Sequence, residues 1–288
     1  MRYRSLRDFL ARGRTALAAG PVAMIFVEDL AGIDSTIRHH QARGFAAILL
    51  FADPEVGLDP ALEATLARID YDTAATGALE RAVDAVIGAA PGQWLYYCYN
   101  AEYLFFPFCE TRSIGEMLAF HSSERRDAML AYVVDAYADD LSRFPDAVSL
   151  DAAFIDKAAY YALARTDPAT GHVKERQYDV FGGLKWRFED HVPEARRRID
   201  RIALFRAKPG LRLRPDHTFT DEEYNTCACP WHHNLTAAIV SFRTAKALKT
   251  NPASRHGIPG FLWRNSVPLE WTSQQLLDLG LMEPGQWF

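Results

Sequence analysis

No stretch of this sequence stays apolar for the roughly 18 residues that a membrane-spanning helix needs, so a spanning helix is excluded. The opening "MRYRSLRDFLARGRTALAAGPVAMIFVED" has early arginines and an apolar stretch but lacks the continuous core and cleavage site of a secretion signal. An amphipathic helix leading into a strand is expected there instead. Cysteine is sparse and irregularly spaced, at positions 98, 109, 227 and 229, which is no disulfide framework for 288 residues. A cytoplasmic protein is the expectation. There is no surplus of positive charge either: 32 Lys and Arg face 37 Asp and Glu, a net charge of -5, which argues against broad nucleic-acid binding. The one basic stretch, "EARRRIDRIALFRAKPGLRLRP", is local. A Gly-rich, Lys-containing loop after the first strand is missing, which counts against a nucleotidyltransferase. Internal repeats and low-complexity tracts are absent as well.

What is present is an alternation of element types. "VAMIFVED" and "FAAILLFAD" are continuous apolar runs ending in acids, the pattern of strands buried on both faces. Between them "GIDSTIRHHQARG" has helical spacing, with Gly44 as its stop. Ala/Leu-rich helical segments follow, flanking a short "IDYD", and then "QWLYYCY" reads as a third long strand running into a loop. Strand, helix, strand at this spacing predicts a mostly parallel sheet flanked by helices. Ligands bind beyond the carboxyl ends of such strands. Glu28, Asp29, Asp53, Asn100 and Glu102 all fall at those ends. Further on, "DAMLAYVVDAYADDL" is compatible with strand or helix, "RIDRIALFRAKPG" with a strand and turn, and "NLTAAIVSFRTAKALK" with a helix. The segment "SQQLLDLGLM" predicts a last helix capped by Thr272 or Ser273.

The order of these pieces resembles a bacterial branch of the family 2 glycosyltransferases. The match runs from "VEDLAGIDSTIRHHQARGFAAILLFAD" through "QWLYYCYNAEYLFF", "DAMLAYVVDAY", "FGGLKWRF" and "RIDRIALFRAKPGLRLRPDHTF" to "TAAIVSFRTAKAL", over roughly residues 20 to 250. The resemblance implies a single Rossmann-like domain of the GT-A type, residues 1–250, with a nucleotide-binding half at about 20–110 and an acceptor half at about 111–250. Residues 251–288 would be an extension packed on it. The implied partners are a UDP- or GDP-linked sugar and a glycan or glycoconjugate acceptor, with Mn²⁺ or Mg²⁺ as cofactor. The departures are specific. The metal-binding Asp-x-Asp of the branch falls on Tyr99-Asn100-Ala101, only the following acid (Glu102) is kept, and the closing-helix His falls on Ser241.

The leaving nucleoside diphosphate needs its growing charge stabilised, by a divalent ion on carboxylates or by Lys, Arg and backbone N–H groups. Three outcomes stay open. In the first, Glu102 with Asn100 holds a metal, helped by His217, His232 or His233, and Glu102 is the catalytic carboxylate. In the second, Lys185, Arg187, Arg201 and Arg206 carry the phosphate charge and the protein is metal-independent. In the third, the fold persists as a binding or interaction protein without transfer. Glu28, Asp29, Asp53 and Asn100 are the expected contacts to base and ribose, and Trp186 is the stacking surface to test. Each has a plainer reading beside it: Glu28 and Asp29 as caps of the next helix, Asp53 as a turn former before Pro54, His39 and His40 as packing residues. Cys227, Cys229, His232 and His233 have the atom types of a zinc site but not its spacing.

Overall fold

Buried β-branched and aromatic runs and the helical stripes between them account for the local structure of this chain. In the computed structural model, residues 1–229 and 232–287 are described, with 228–229 and 232–233 as backbone only. In chain order the elements are β1 (Arg2–Tyr3), α1 (Leu6–Arg12), β2 (Val22–Phe26), α2 (Ile33–Ala42), β3 (Ala47–Ala52), α3 (Pro60–Glu63), β4 (Ala67–Asp70), α4 (Ala78–Ala89), β5 (Trp94–Tyr99), β6 (Glu102–Phe105) and α5 (Ile114–Ser123). They continue with β7 (Ala128–Ala138), β8 (Ala153–Asp156), β9 (Tyr161–Thr166), β10 (Val173–Phe181), α6 (Gly183–Arg187), β11 (Asp200–Arg206), β12 (Ala228–Cys229), β13 (His232–His233), β14 (Ala237–Ser241), α7 (Arg243–Thr250), β15 (Ser266–Pro268) and α8 (Ser273–Asp278). Short 3₁₀ turns fill some of the connections. The chain forms two compact units, one from residues 1–100, 111–129 and 202–225, the other from 101–110, 130–201 and 226–288.

The first unit is built on strands in the order β1-β4-β3-β2-β5, every neighbouring pair parallel. Residues 204–206 of β11 add to β5 in the antiparallel sense. All five residues of β2 and the last five of β3 are buried, which is why these runs carry no polar alternation. α2 turns Ile33, Thr36, Ile37 and His40 inward at helical spacing, and α4 does so with Ala78, Leu79, Ala82, Val83, Val86 and Ile87. His40 is a packing residue. Its Nδ1 is bonded to the Thr36 carbonyl at 2.8 Å and its ring stacks on Tyr96. The Rossmann-like class read from the alternation is therefore present in this unit, a mostly parallel sheet flanked by helices.

In the second unit β14 pairs with β7 in parallel and with β6 antiparallel, while β7 also pairs antiparallel with β8, which carries β15. β9 and β10 form a separate two-stranded ribbon. Two local expectations change here. "TAAIVSFRTAKAL" is not one helix. Ala237–Ser241 lies between two strands and is wholly buried, so burial on both faces overrides the helical spacing, and α7 begins only at Arg243. Likewise the loop expected after Tyr99 is a two-residue turn, with Ala101 at φ 58°, followed by a new strand that begins at Glu102. The ambiguous "DAMLAYVVDAY" is a strand, and the final helix is capped by Thr272, whose hydroxyl accepts from the Gln275 amide.

Candidate functional site

The parallel pairing of β2, β3, β4 and β5 brings the ends of these strands to one edge of the first unit. Glu28, Asp29, Asp53, Asp72 and Asn100 follow those ends directly or within three residues. Asn100 is fully buried and organises the edge. Its Oδ1 accepts the Glu28 amide at 2.8 Å, and its Nδ2 donates to Asp29 Oδ1 and to the Ala31 carbonyl, each at 2.8 Å. The amide is thus spent on holding the loop that carries Glu28 and Asp29, whose side chains are exposed. Asp53 is exposed too, and its Oδ1 accepts the Glu55 amide at 2.9 Å in a tight turn. Asp72 accepts two amides in the same way, and the Thr73 hydroxyl donates to the Val27 carbonyl. The product is a fixed row of outward carboxylates. Such a row accepts from hydroxyls and N–H groups and repels phosphate.

One of the basic residues picked out for phosphate, Arg206, lies in this unit at the other end of β5. Arg206 stands opposite Trp94, at the start of β5, whereas Asn100 follows its end. At about 3.3 Å per residue that is roughly 20 Å from the carboxylate edge. It pairs there with Asp127 and the Gly92 carbonyl. His217 bonds the Tyr97 hydroxyl through Nδ1 at 3.1 Å and stacks on that ring. A shallow depression of about 260 Å³, lined by Pro21, Gln93, Trp94 and Leu118 among others, also lies at the amino-terminal ends of β2 and β5.

In the second unit three cations from the sequence expectation are enclosed, two of them in ion pairs. Glu102 is 0% exposed and Arg201 3%, and they form a bidentate pair at 2.6 and 3.0 Å. Ser241, directly opposite Glu102 in the β6/β14 register, donates its hydroxyl to the same carboxylate at 3.0 Å. Arg187 contacts both oxygens of Asp156 at 3.2 Å and donates to the Phe261 carbonyl, its guanidinium over the Trp263 ring. Asp156 also accepts from the Trp263 indole and the Tyr137 hydroxyl. Lys185 is partly exposed as a residue, but its ammonium end is enclosed, donating to the Arg198 carbonyl at 2.8 Å beside Asp135. Trp186, between these two inward cations on α6, faces out and is 40% exposed, because successive helical residues diverge by about 100°.

Asp135 explains the second glycine of the Gly-Gly pair, while a Cβ at the first, Gly182, would run into the Tyr160 ring. Gly183 has φ 62°, and a Cβ there would lie 2.7 Å from Asp135 Oδ2. With no side chain at that position, the Leu184 and Lys185 amides reach the same oxygen at 2.8 and 3.3 Å. A backbone nest of the kind that holds an anion is filled by the chain's own carboxylate. Burial raises the Asp135 pKa, and burial likewise lowers the Lys185 ammonium to about 8, against the pull of Asp135 and with the help of Arg201 and Arg243.

No family model matches the chain, and no curated protein matches it in sequence. The geometry alone therefore carries the reading. A divalent ion needs several hard oxygens with room for water. Glu102 is a single carboxylate already neutralised by a guanidinium, Ser241 stands beside it as a donor, and among the described residues no three acid, His or Cys side chains converge as metal ligands would. These residues do not fit a metal. The side chains of His232, His233 and Cys229 lie outside the described residues. The Cys227 thiol donates to the Arg176 carbonyl. Asp72, Asp135, Asp156 and Arg68 were not among the candidates read from sequence. The three acids carry the same signal as Asp53, a carboxylate at or just beyond the end of an apolar run, and Arg68 is a cation inside one, "LARID".

Two outcomes follow. Arg201→Met leaves Glu102 enclosed without its cation and costs about 3–5 kcal/mol in urea unfolding, while Arg201→Met with Glu102→Met recovers most of that. A loss below about 1 kcal/mol in the single variant contradicts the enclosed pair. Lys185 releases its proton near pH 8 when folded and near 10.5 when unfolded, so in that window the unfolded chain binds more protons and stability rises with pH. Unfolding free energies across the window are expected to show this rise, with a shallower one in Lys185→Met.

Proposed function

We propose that this chain is a glycosyltransferase-type binding protein. It recognises the nucleoside end of a nucleotide diphosphate sugar at the carboxylate edge of the first unit, without a metal and without transferring the sugar. The observation that carries the reading is the enclosure of Glu102 between Arg201 and Ser241. A transferase base must reach the acceptor hydroxyl, and a metal-holding carboxylate must reach the diphosphate. Glu102 does neither while both its oxygens are bonded and its surface is closed. Arg187 and Lys185 are similarly engaged, so neither is free to steady a leaving diphosphate.

The exposed acids suit the other end of such a ligand. Glu28, Asp29 and Asp53 accept hydrogen bonds from ribose hydroxyls and from base N–H groups, and their shared negative charge turns the phosphates outward. Nucleotide-dependent thermal shifts test this. UDP or GDP is expected to raise the melting temperature equally with Mn²⁺ and with EDTA, Asp53→Ala is expected to weaken the affinity about tenfold, roughly 1.4 kcal/mol, and UDP- and GDP-sugars are expected to stay intact. Release of free nucleotide that is abolished by Glu102→Gln would overturn the non-transferring reading. Absence of any shift with UDP, GDP and CMP would overturn the ligand.

A further inference from the structure

We infer that Arg68 is the positioning residue of the nucleoside site, fixing the loop that presents Asp53. The inference rests on the functional reading above for its ligand, and on geometry for the rest. Arg68 is the second residue of β4, opposite Leu50 of β3 and Arg2 of β1, and it is 2% exposed. A Val or Ile would be the ordinary occupant of a parallel strand at that depth, and an enclosed guanidinium is costly unless its donors are used. Its Nη2 donates to three carbonyls of one loop, Asp53 at 3.2 Å, Pro54 at 3.3 Å and Val56 at 2.6 Å. Glu63 lies 3.6 Å from Nη1 and Asp70 3.8 Å from Nε, so the charge is balanced locally.

The loop has little else to fix it. Within residues 53–57 the bonds are two, from the Val56 amide to the Asp53 carbonyl and from the Glu55 amide to Asp53 Oδ1. Arg2 adds one more from outside, to the Pro54 carbonyl at 3.0 Å, but Arg2 is exposed. Arg68 draws successive carbonyls to one buried point, and with the carbonyls turned in, the Asp53 carboxylate stays at the surface. The fork lets the two N–H groups of Nη2 be shared among these carbonyls while Nη1 and Nε face Glu63 and Asp70, and a lysine, whose charge sits on one nitrogen, does not face both at once. The side chain touches no ligand itself. It acts through the loop.

The test compares Arg68→Met and Arg68→Lys with the unaltered protein by hydrogen exchange at the Glu55, Val56 and Gly57 amides, and by titration with UDP and GDP. The proposal expects exchange at those amides to rise about tenfold or more in Arg68→Met, with β3 and β5 still protected and Arg68→Lys in between. Nucleotide affinity is expected to fall about as far as in Asp53→Ala, and the double variant Arg68→Met with Asp53→Ala to bind no worse than Asp53→Ala alone. An unchanged loop, exchange rising equally through the whole unit, or additive losses in the double variant would each overturn it. If the unaltered protein binds neither nucleotide, the functional reading fails by itself. The exchange pattern then decides alone whether Arg68 fixes the loop, a local rise supporting it and an unchanged or global one refuting it.

Discussion

The enclosed pair of Glu102 and Arg201 is the constraint on which the second unit's chemistry depends. Removing two charges from water is expensive, and it is tolerated here because the geometry is bidentate and a third group, Ser241, satisfies the same carboxylate. The pair spans strand β6, the start of β11 and, through Ser241, strand β14. Its neighbours repeat the arrangement. Asp156 collects Arg187, Trp263 and Tyr137, and Asp135 accepts the Leu184 and Lys185 amides over Gly183. In each case a carboxylate and its donors come from the chain itself. Groups satisfied in this way contribute to stability and shape.

The first unit is organised the other way. Its buried groups are spent on the backbone of two loops, Asn100 on residues 28–31 and Arg68 on residues 53–56, and the acids on those loops face outward. Exposed carboxylates on fixed loops cost little in desolvation and are pre-organised for hydroxyl and amide donors. This contrast between the two units is what the proposed nucleoside recognition rests on.

Much of this was legible in the sequence, and the gaps have causes. Unbroken apolar runs ending in acids gave the parallel strands and the edge with Glu28, Asp29 and Asp53, because burial on both faces leaves no alternation to confuse the period. The helical reading of "TAAIVSFRTAKAL" failed at Ala237–Ser241, where strand neighbours on both sides outweighed a 3.6-residue pattern. The partners that Arg187, Lys185 and Arg206 take in the structure were not legible either. Which carboxylate neutralises an arginine depends on partners 31 to 99 residues away, as for Arg187 with Asp156 and Arg201 with Glu102. The Gly-Gly pair was visible, yet that Gly183 makes room for Asp135 appears only once β7 is in place.

Binding of Mn²⁺ followed by its electron paramagnetic resonance signal tests the central claim most directly, since it reports on the ion itself and needs no substrate. If Arg201 already neutralises Glu102, the free-ion signal is unchanged by stoichiometric protein and is the same for Glu102→Gln. One saturable Mn²⁺ per chain, lost on Glu102→Gln, would mean that the guanidinium gives way to metal and that the account is wrong.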